Sequence, residues 1–320
     1  MNTPLTGIVP PMITPMRDRD ALDVPGLERL VERILAGGVS GLFVLGTTGE
    51  GPSLSYRLRR DLVGRVCRLA GGRVPVLVGI TDTAFVESLS LARFAADAGA
   101  SAVVAAPPYY LPGEQPELRE YLHHLVPALP LPLFLYNMPA LTKVSFELET
   151  VRIAMDEPRI VGLKDSSGDM AYFRGAADLL PHRPDWSLLI GPEERLMEAL
   201  LAGGHGGVSG GANLFPALYV GLFEACQAGD LARAQGLHAQ VMRVGEALYR
   251  IGRHPSAFIK GVKCALSCLG VCDDFMAEPF HRFRTSERAL VEERLAGLRV
   301  EIERLRLEPG RGDVDGTAAG

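Results

Sequence analysis

Short apolar segments alternate with amphipathic segments from the start of this chain, and this alternation constrains the fold more than any other feature. Leucine, isoleucine and valine recur at helical spacing after the apolar segments, and Gly37-Gly38 and Gly71-Gly72 close the first two helices. About eight strand–helix units fit into about 225 residues, as a (β/α)8 barrel requires. The predicted strands span residues 7–15, 41–45, 74–80, 101–106, 133–136, 160–164, 186–190 and 206–211. Their even spacing favours a closed barrel over a doubly wound open sheet, which is the alternative fold.

The strand pattern stops after Phe215, and the rest of the chain is predicted to be helical. Four further segments have helical spacing, at residues 218–228, 230–251, 255–269 and 287–305. We therefore predict an α/β protein in which a TIM barrel, residues 1–228, precedes a helical C-terminal appendage, residues 229–307. The Gly- and Asp-rich residues 308–320 are predicted to be a disordered tail.

Composition and charge exclude several functional classes. The 320-residue chain has a formal net charge of -5 and a pI near 5.9, so nucleic-acid binding has no electrostatic support. No apolar run reaches the about 20 residues of a membrane helix, and residues 1–6 lack the features of a secretion signal. Five cysteines without framework spacing indicate a reduced, cytoplasmic protein. Cys264, Cys268 and Cys272 stack on one helix face, where buried core residues are favoured over a metal site.

Lys164 is the candidate nucleophile of this chain. It follows four residues that are expected to be buried in a parallel sheet, Ile160 to Leu163. The other lysines, Lys143, Lys260 and Lys263, have polar or helical surroundings that predict a solvated amine. Burial disfavours the charged form of a lysine and would give a nucleophilic amine near neutral pH. The alternative is a strand-end lysine whose amine extends into solvent.

Further reactive groups are predicted at the same end of the barrel, because catalytic residues of such barrels lie at the carboxyl ends of the strands. The groups at these ends are Thr47 and Thr48, Tyr109 and Tyr110, Tyr136 and Asn137, Lys164, and Gly191 with Glu193. An amine, a phenol and two hydroxyls at one mouth suit the capture of a 2-oxo acid as a Schiff base. In that chemistry a lysine attacks the ketone carbon and a tyrosine moves protons. The amides and hydroxyls of residues 46–49 are predicted to hold the substrate carboxylate.

Each of these groups also has a structural explanation. Thr47 and Thr48 fit a helix cap, and Tyr136 fits a packing layer of the barrel. The glycines of residues 203–207 lack the spacing of a phosphate-binding loop. The prediction of an active site therefore depends on the convergence of several groups at one mouth.

Four sequence blocks carry a resemblance to a known family. These blocks are GTTGE at Gly46–Glu50, PYY at Pro108–Tyr110, YNMP at Tyr136–Pro139 and GLKD at Gly162–Asp165. In their order and spacing the chain resembles the dihydrodipicolinate synthase/N-acetylneuraminate lyase family. The resemblance implies a class I aldolase that uses pyruvate, without a cofactor or a metal, on a TIM barrel with a helical tail domain.

The resemblance also implies roles for individual residues. Lys164 is implied to form the Schiff base and Tyr136 to transfer protons. Thr47 and Thr48 are implied to bind the pyruvyl carboxylate, with Thr48 linking Tyr136 to Tyr110. The family tyrosine that matches Tyr110 reaches into the neighbouring subunit's site, which implies a homotetramer built as a dimer of dimers. Further substrate contacts are implied at Gly46, Leu141, Gly191, Glu193 and Val208.

Leu141 distinguishes this chain from part of the family. The synthases of the lysine precursor carry an arginine at this position, which binds the carboxylate of the aldehyde partner. Leucine removes that bidentate clamp and resembles the sugar-acid lyases, although sialic-acid lyases usually have serine at the position of Thr47. We therefore expect pyruvate and an aldehyde derived from a 2-keto-3-deoxy sugar acid or a similar 2-oxo acid. A 4-hydroxy-tetrahydrodipicolinate synthase, which combines pyruvate with aspartate semialdehyde, is the alternative.

Two alternatives belong to other functional classes. A metal-dependent aldolase would need histidines and carboxylates at the mouth, and His205 is the one histidine near a predicted strand end. A non-catalytic ligand-binding relative is disfavoured by the intact set of lysine, tyrosine and threonine.

Overall fold

Strands and helices alternate in the structure as the sequence predicts. The computed structural model describes residues 4–252 and 254–307, and the tail predicted at 308–320 lies outside the described residues. The described strands are β1 (Gly7–Ile8), β2 (Met16–Asp18), β3 (Ala21–Leu22), β4 (Leu42–Val44), β5 (Val76–Gly79), β6 (Ala102–Ala105), β7 (Leu133–Asn137), β8 (Ile160–Asp165), β9 (Ser187–Ile190) and β10 (Gly206–Gly207). β2 and β3 form a separate antiparallel pair, and the other eight described strands form one parallel sheet.

The sheet closes on itself between its two ends. Its strand order is β1-β10-β9-β8-β7-β6-β5-β4, and the segment after β1 then bonds to β4. Phe43 N donates to Pro10 O over 3.0 Å, and Met12 N donates to Phe43 O over 2.8 Å. The (β/α)8 barrel is therefore confirmed over the open sheet. The first strand is short because Pro10 and Pro11 have no N–H to donate to a ladder.

Helices cover the outside of the barrel. In the first part of the chain they are α1 (Val24–Ala36), α2 (Tyr56–Ala70), α3 (Phe85–Asp97), α4 (Gln115–Ala128), α5 (Pro139–Thr142), α6 (Leu148–Met155), α7 (Met170–Ala177) and α8 (Leu196–Leu201). The side chains of Asp23 and Ser55 cap α1 and α2, and Gly71 ends α2 at φ 57°. This left-handed conformation favours glycine, as the sequence predicts for that helix end.

The apolar residues divide into an inner and an outer layer. Successive side chains of a strand point to opposite faces, so Phe43 lies inside the barrel while Leu42 and Val44 pack against the helices. The inner layer consists of Leu5, Val9, Phe43, Leu77, Ala102, Val104, Ala106, Phe134, Tyr136, Val161, Leu189 and Val208. The barrel interior is thus packed with side chains below the mouth.

The C-terminal part is helical, as predicted. After β10, α9 (Pro216–Gln227) still falls within the predicted barrel segment. It is followed by α10 (Leu231–Val244), a π-helical turn at Gly245–Tyr249, α11 (Ala257–Cys268) and α12 (Thr285–Leu307). The boundary at residues 228 and 229 stays a prediction. No described helix is both long enough and apolar enough to cross a membrane.

Candidate active site

The pairing of β7 with β8 brings two of the predicted site residues together. In the parallel register Tyr136 lies opposite Lys164, and Asn137 lies opposite Asp165. Both pairs stand at the carboxyl ends of their strands, which is the functional end of this type of barrel. The backbone ladder therefore fixes the relative positions of the phenol and the amine.

A β-bulge at the start of β8 turns Lys164 into the barrel. Leu133 pairs with Ile160, but the next residue, Phe134, pairs with Gly162, so one residue of β8 is extra. The bulge moves Gly162 and Lys164 onto the inner face, together with Phe134 and Tyr136. A Cβ on Gly162 would lie 2.5 Å from the Phe134 ring, so glycine is the residue that leaves room for that ring.

The side chain of Lys164 is buried among aromatic rings, as the sequence predicts. The residue is 6% exposed, and its Nζ lies 3.8 Å from the centroid of the Tyr136 ring and 5.0 Å from that of Phe43. A cation near the faces of aromatic rings is attracted by their π electrons. The alternative in which this lysine extends into solvent is therefore wrong.

The hydroxyl beside Tyr136 belongs to Thr47. Thr47 Oγ1 lies 3.2 Å from the Tyr136 phenolic oxygen, at hydrogen-bonding distance. The resemblance implies that Thr48 makes the link with Tyr136, whereas the hydroxyl at hydrogen-bonding distance in the structure is that of Thr47. Leu45, which precedes this loop, has a left-handed backbone with φ 61°, so the spacing of residues along the chain does not indicate which hydroxyl points inward. Thr48 is also buried, at 7% exposure.

The electrostatic surroundings of Tyr136 favour its phenolate. Burial by itself raises the pKa of the phenol, but the charge of Lys164 and hydrogen bonds with Thr47, Lys164 and Ser166 outweigh burial. The pKa of Tyr136 consequently lies below its ordinary value. Ser166 was not among the predicted site residues, although it directly follows the GLKD block and lies two positions after Lys164.

A hydrogen-bond network holds the ends of the two reactive strands together. Asn137 Nδ2 donates to Asp165 Oδ1 over 2.9 Å, and Ser167 donates to the same carboxylate through its N–H and its hydroxyl. Asn137 Oδ1 in turn accepts from Phe146 N over 3.1 Å. Asn137 and Asp165 are fully buried, and burial raises the pKa of Asp165 more than these hydrogen bonds lower it. The network has a positioning role, because it joins the residues that directly follow Tyr136 and Lys164.

The loop of residues 45–50 crosses the mouth beside these strands. A Cβ on Gly46 would lie 2.6 Å from the Phe43 ring, and one on Gly49 would lie 2.8 Å from Met12 O, so both positions need glycine. Glu50 ends the loop at φ 56°, in the left-handed region. The predicted anion-binding loop therefore packs directly against the barrel wall.

Glu193 is bound by the protein itself. Its Oε1 accepts hydrogen bonds from the hydroxyls of Tyr219 and Tyr249, each over 2.6 Å, and its Oε2 accepts from Gly211 N over 2.8 Å. The residue is 6% exposed, and burial raises the pKa of its carboxyl more than these bonds lower it. Both oxygens are occupied by donors of the C-terminal half, which does not suit the substrate contact predicted for this residue. Spacing could not reveal these partners, because they lie on elements that are distant in the sequence.

The other predicted residues surround the mouth at different depths. Gly191 adjoins Ser166, whose Oγ would lie 1.9 Å from a Cβ at this position, and Val208 is part of the inner layer. Leu141, on α5, is 51% exposed, and Tyr110 is 76% exposed. The Tyr110 side chain is therefore largely exposed to solvent.

His205 and the cysteines do not gather at the mouth. His205 precedes β10, at the amino end of that strand, and its Nδ1 accepts from Leu188 N over 3.1 Å. Cys264 and Cys272 are buried core residues, as predicted, but α11 ends at Cys268, so Cys272 does not share a helix face with the other two. Within residues 4–252 and 254–307, no group of three or more His, Cys, Asp or Glu side chains is arranged to hold a metal ion.

Two of the other three lysines correct a sequence expectation. Lys143 is exposed as predicted, but Lys260 is 8% exposed and Lys263 is fully buried. Lys263 Nζ forms an ion pair with Glu50 over 2.5 Å. The pair joins residues 213 positions apart, so no local pattern predicts it.

Comparisons with known proteins agree with this geometry. A sequence model of the Dihydrodipicolinate synthetase family matches residues 4–297. A probable 2-dehydro-3-deoxy-D-pentonate aldolase of Escherichia coli K12 is 32% identical over 268 residues, which cover 83% of this chain and 88% of that protein.

Two solved structures have the same fold. A dihydrodipicolinate synthase from Bacteroides thetaiotaomicron is 52% identical, with a TM-score of 0.91, over 93% of this chain and 100% of that chain. YagE, a prophage protein of the dihydrodipicolinic acid synthase family from Escherichia coli K12, was crystallised in complex with pyruvate. It is 29% identical, with a TM-score of 0.87, over 92% of this chain and 99% of that chain.

Proposed function

This chain belongs to the dihydrodipicolinate synthetase family, and we propose that it is a class I aldolase that uses Lys164 to bind pyruvate as a Schiff base. The observation that carries the proposal is the buried amine of Lys164, 3.8 Å from the ring centroid of Tyr136, whose phenol contacts Thr47. The pyruvate complex of YagE supports pyruvate as the 2-oxo acid. An amine held in this way has the surroundings that covalent capture of a ketone requires.

The proposed reaction begins with attack of the Lys164 Nζ on the keto carbon of the substrate. The carbinolamine that forms loses water to give an iminium ion, and Tyr136 transfers the protons that this step requires. In the cleavage direction the Tyr136 phenolate removes the proton of the hydroxyl group, and the carbon–carbon bond breaks. Its electron pair moves into the iminium to give an enamine, while the aldehyde leaves. Protonation and hydrolysis of the enamine then release pyruvate and regenerate Lys164.

The loop of residues 46–49 is the proposed site for the pyruvyl carboxylate. We propose that the hydroxyl of Thr48 and the backbone amides of this loop bind this carboxylate, because small glycines let the chain approach an anion closely. Thr47, and not Thr48, is proposed to form the hydrogen bond to Tyr136, because its Oγ1 lies 3.2 Å from the phenolic oxygen. Gly191 and Val208 are proposed to line the same pocket.

We propose a 2-keto-3-deoxy sugar acid, or a similar 2-oxo acid, as the physiological substrate. Leu141 offers no positive charge for a second carboxylate, and a probable pentonate aldolase is among the relatives of this chain. The alternative is 4-hydroxy-tetrahydrodipicolinate synthase activity, which the Bacteroides thetaiotaomicron structure supports by its name and its 52% identity. Both candidates share the Schiff-base chemistry and differ only in the aldehyde.

We further propose that the active site is completed in a homotetramer. Tyr110 and Leu111 are 76% and 79% exposed beside the mouth, and such large apolar side chains favour contact with another subunit. Tyr110 would then reach the neighbouring site and extend the hydrogen-bond chain from Tyr136 and Thr47.

The five unpaired cysteines are in keeping with a reducing cytoplasm.

Subunit mixing tests the shared site. Tyr110→Phe chains and Lys164→Ala chains are each impaired, but a hybrid dimer holds one site with both native residues. Mixing should restore activity above the residual rate of Tyr110→Phe. If confirmed subunit exchange restores nothing, the shared site is wrong.

Reductive trapping tests the central proposal. Borohydride added with pyruvate should attach a reduced pyruvyl group to Lys164, and Lys164→Ala should abolish the adduct. Lys143→Ala is the matched control, because it removes an exposed lysine near the same mouth. An adduct on another lysine contradicts the role of Lys164. Absence of any adduct contradicts the aldolase proposal and favours a ligand-binding relative. A panel of 2-keto-3-deoxy sugar acids, N-acetylneuraminate and aspartate semialdehyde then identifies the substrate.

A further inference from the structure

The C-terminal helices reach the mouth through one buried ion pair. Lys263, on α11, donates from Nζ to Glu50 Oε1 and to Phe275 O, each over 2.5 Å. Glu50 Oε2 accepts from the N–H of Ala277 over 2.8 Å. The side chains of Lys263 and Glu50 are 0% and 2% exposed. Both carboxylate oxygens of Glu50 are thus held by the part of the chain that follows the barrel.

The loop that Glu50 ends has an unusual backbone at both of its ends. Leu45 has φ 61° and Glu50 has φ 56°, a conformation that residues other than glycine rarely adopt. Such a conformation persists only where the surroundings hold it. At the first end, a Cβ on Gly51 or Gly79 would lie 2.2 or 2.5 Å from Leu45 O, so the chain packs tightly there. At the second end, the holding groups are Lys263 and Ala277 N.

A short series of contacts joins this ion pair to the proposed reaction centre. Glu50 N donates to Thr47 O over 3.0 Å, and Thr47 Oγ1 lies 3.2 Å from the Tyr136 phenolic oxygen. The Tyr136 ring in turn faces the Lys164 amine. A displacement of Glu50 would therefore move Thr47 relative to the phenol.

Stability alone does not explain a charge pair in this place. The free-energy cost of removing two charges from water offsets most of the energy of their attraction. Apolar side chains of similar volume in place of the ion pair often give a protein of equal or higher stability. An ion pair with additional hydrogen bonds does fix the location and orientation of a carboxylate. Here the fixed carboxylate belongs to the loop that carries Thr47.

We propose that Lys263 is a positioning residue of the active site, which holds Glu50 and thereby keeps the Thr47 hydroxyl against Tyr136. Lys263 touches no reacting atom, and it acts through the loop. The proposal rests on the proposed function, because the position of Thr47 matters only where Tyr136 moves protons. It also means that the barrel depends on the C-terminal helices for the geometry of its mouth.

The test compares Lys263→Met and Glu50→Gln with Lys260→Met. Lys260→Met is the matched control, since it removes a buried lysine one turn away on the same helix. Each variant is assayed for borohydride trapping, for kcat and KM, for the pH dependence of kcat and for its Tm. We expect Lys263→Met and Glu50→Gln to lower kcat about tenfold or more, and Lys260→Met to change it less than twofold.

The pH profile separates positioning from mere stability. The hydrogen bond from Thr47 helps to lower the pKa of Tyr136, and Lys164 is the charged group that faces this phenol. When Thr47 is displaced, the pKa of the Tyr136 phenol should rise. The part of the pH–rate profile in which kcat increases as the phenol loses its proton should therefore shift to higher pH. Trapping at Lys164 should persist, because β8 places that amine independently of the loop.

The outcomes distinguish this proposal from the proposed function. Absence of an adduct in the wild type would overturn the aldolase proposal itself. An adduct, with wild-type kcat and an unshifted profile in Lys263→Met and Glu50→Gln, would overturn the positioning role even if the Tm falls. If a single variant does not fold, the double variant Lys263→Met/Glu50→Gln carries the test, since it leaves no unpaired charge buried. The same kcat loss and pH shift are expected in it, and their absence contradicts the proposal.

Discussion

The two sides of the mouth are built in different ways. Tyr136 and Lys164 lie on adjacent strands in register, and the backbone ladder of β7 and β8 places them. Thr47 lies on a loop outside the sheet, and the shape of that loop depends on Glu50 and the distant Lys263. The strand side is positioned by short-range backbone bonds, whereas the loop side is positioned by side chains from the far end of the chain.

This difference determines which parts of the site can vary independently. A residue on a ladder keeps its position when a neighbouring side chain changes, because its backbone bonds remain. A residue on a loop with left-handed backbone loses its position when the contacts that hold it are removed. The strand side should therefore retain Schiff-base formation under changes that disable the loop side.

The largest effect is expected for Tyr136→Phe. This change removes the phenol that is proposed to move protons, and positioned acid–base groups contribute about 10²–10⁴-fold to rates. We expect kcat to fall within that range while borohydride trapping at Lys164 is retained. Steady-state kinetics and mass spectrometry of the trapped protein measure the two results. Loss of the adduct together with kcat would mean that the two strand residues do not act separately.

A smaller effect is expected for Thr47→Val, which removes one hydrogen bond from Tyr136. That bond is one of the interactions that lower the pKa of the phenol, so the variant phenol should keep its proton to a higher pH. The limb of the pH–rate profile on which activity rises with deprotonation should consequently move to higher pH. We expect kcat near neutral pH to fall about tenfold, since a hydrogen bond to a charged group contributes about 1.5–3 kcal/mol.

Thr48→Val is the matched control for that experiment. It removes the adjacent hydroxyl, which has no hydrogen bond to Tyr136 in the structure. We expect its pH profile to stay in place, with any loss confined to the KM for pyruvate. A shifted profile in Thr48→Val, and an unshifted one in Thr47→Val, would restore the assignment made from sequence.

The sequence predicts the strand side of the site well. Strand periodicity and the position of Lys164 at the end of an apolar run are local properties, and the barrel brings strand ends together by its topology. The apolar residues before Lys164 favour its burial, but this pattern alone leaves open the alternative of an amine that extends into solvent. The bulge at Val161 is not visible in the sequence, because a bulge is set by the pairing with Leu133 and Phe134.

The sequence does not predict the conformation of the loop side or the residues that hold it. The difference between Thr47 and Thr48 depends on the turn that Leu45 and Glu50 make, and left-handed backbone at these residues has no sequence signature. Tyr219 and Lys263, which donate to Glu193 and Glu50, lie on helices that follow the last barrel strand, so spacing shows neither of them as a neighbour. The helical surroundings of Lys263 predict a solvated amine, and only the position of Glu50 in the fold shows that this amine is buried in an ion pair.

The smallest structural effect is expected at Leu141, which belongs neither to the strand side nor to the loop side of the mouth. The residue lies on α5 and is 51% exposed, so a substitution should change the free energy of unfolding by less than about 0.5 kcal/mol. If the strands and the loop supply the chemistry and the rim selects the aldehyde, Leu141→Arg should alter specificity alone. Its guanidinium offers a bidentate partner for the carboxylate of aspartate semialdehyde.

We expect kcat/KM of Leu141→Arg for this aldehyde to rise about tenfold relative to the sugar-acid substrate, since a charge-assisted hydrogen bond contributes about 1.5–3 kcal/mol. Leu141→Gln, which is polar but uncharged, should not produce this gain, and trapping with pyruvate should be unchanged in both variants. Efficient use of aspartate semialdehyde by the unmodified protein would contradict the inference from Leu141 and favour the synthase.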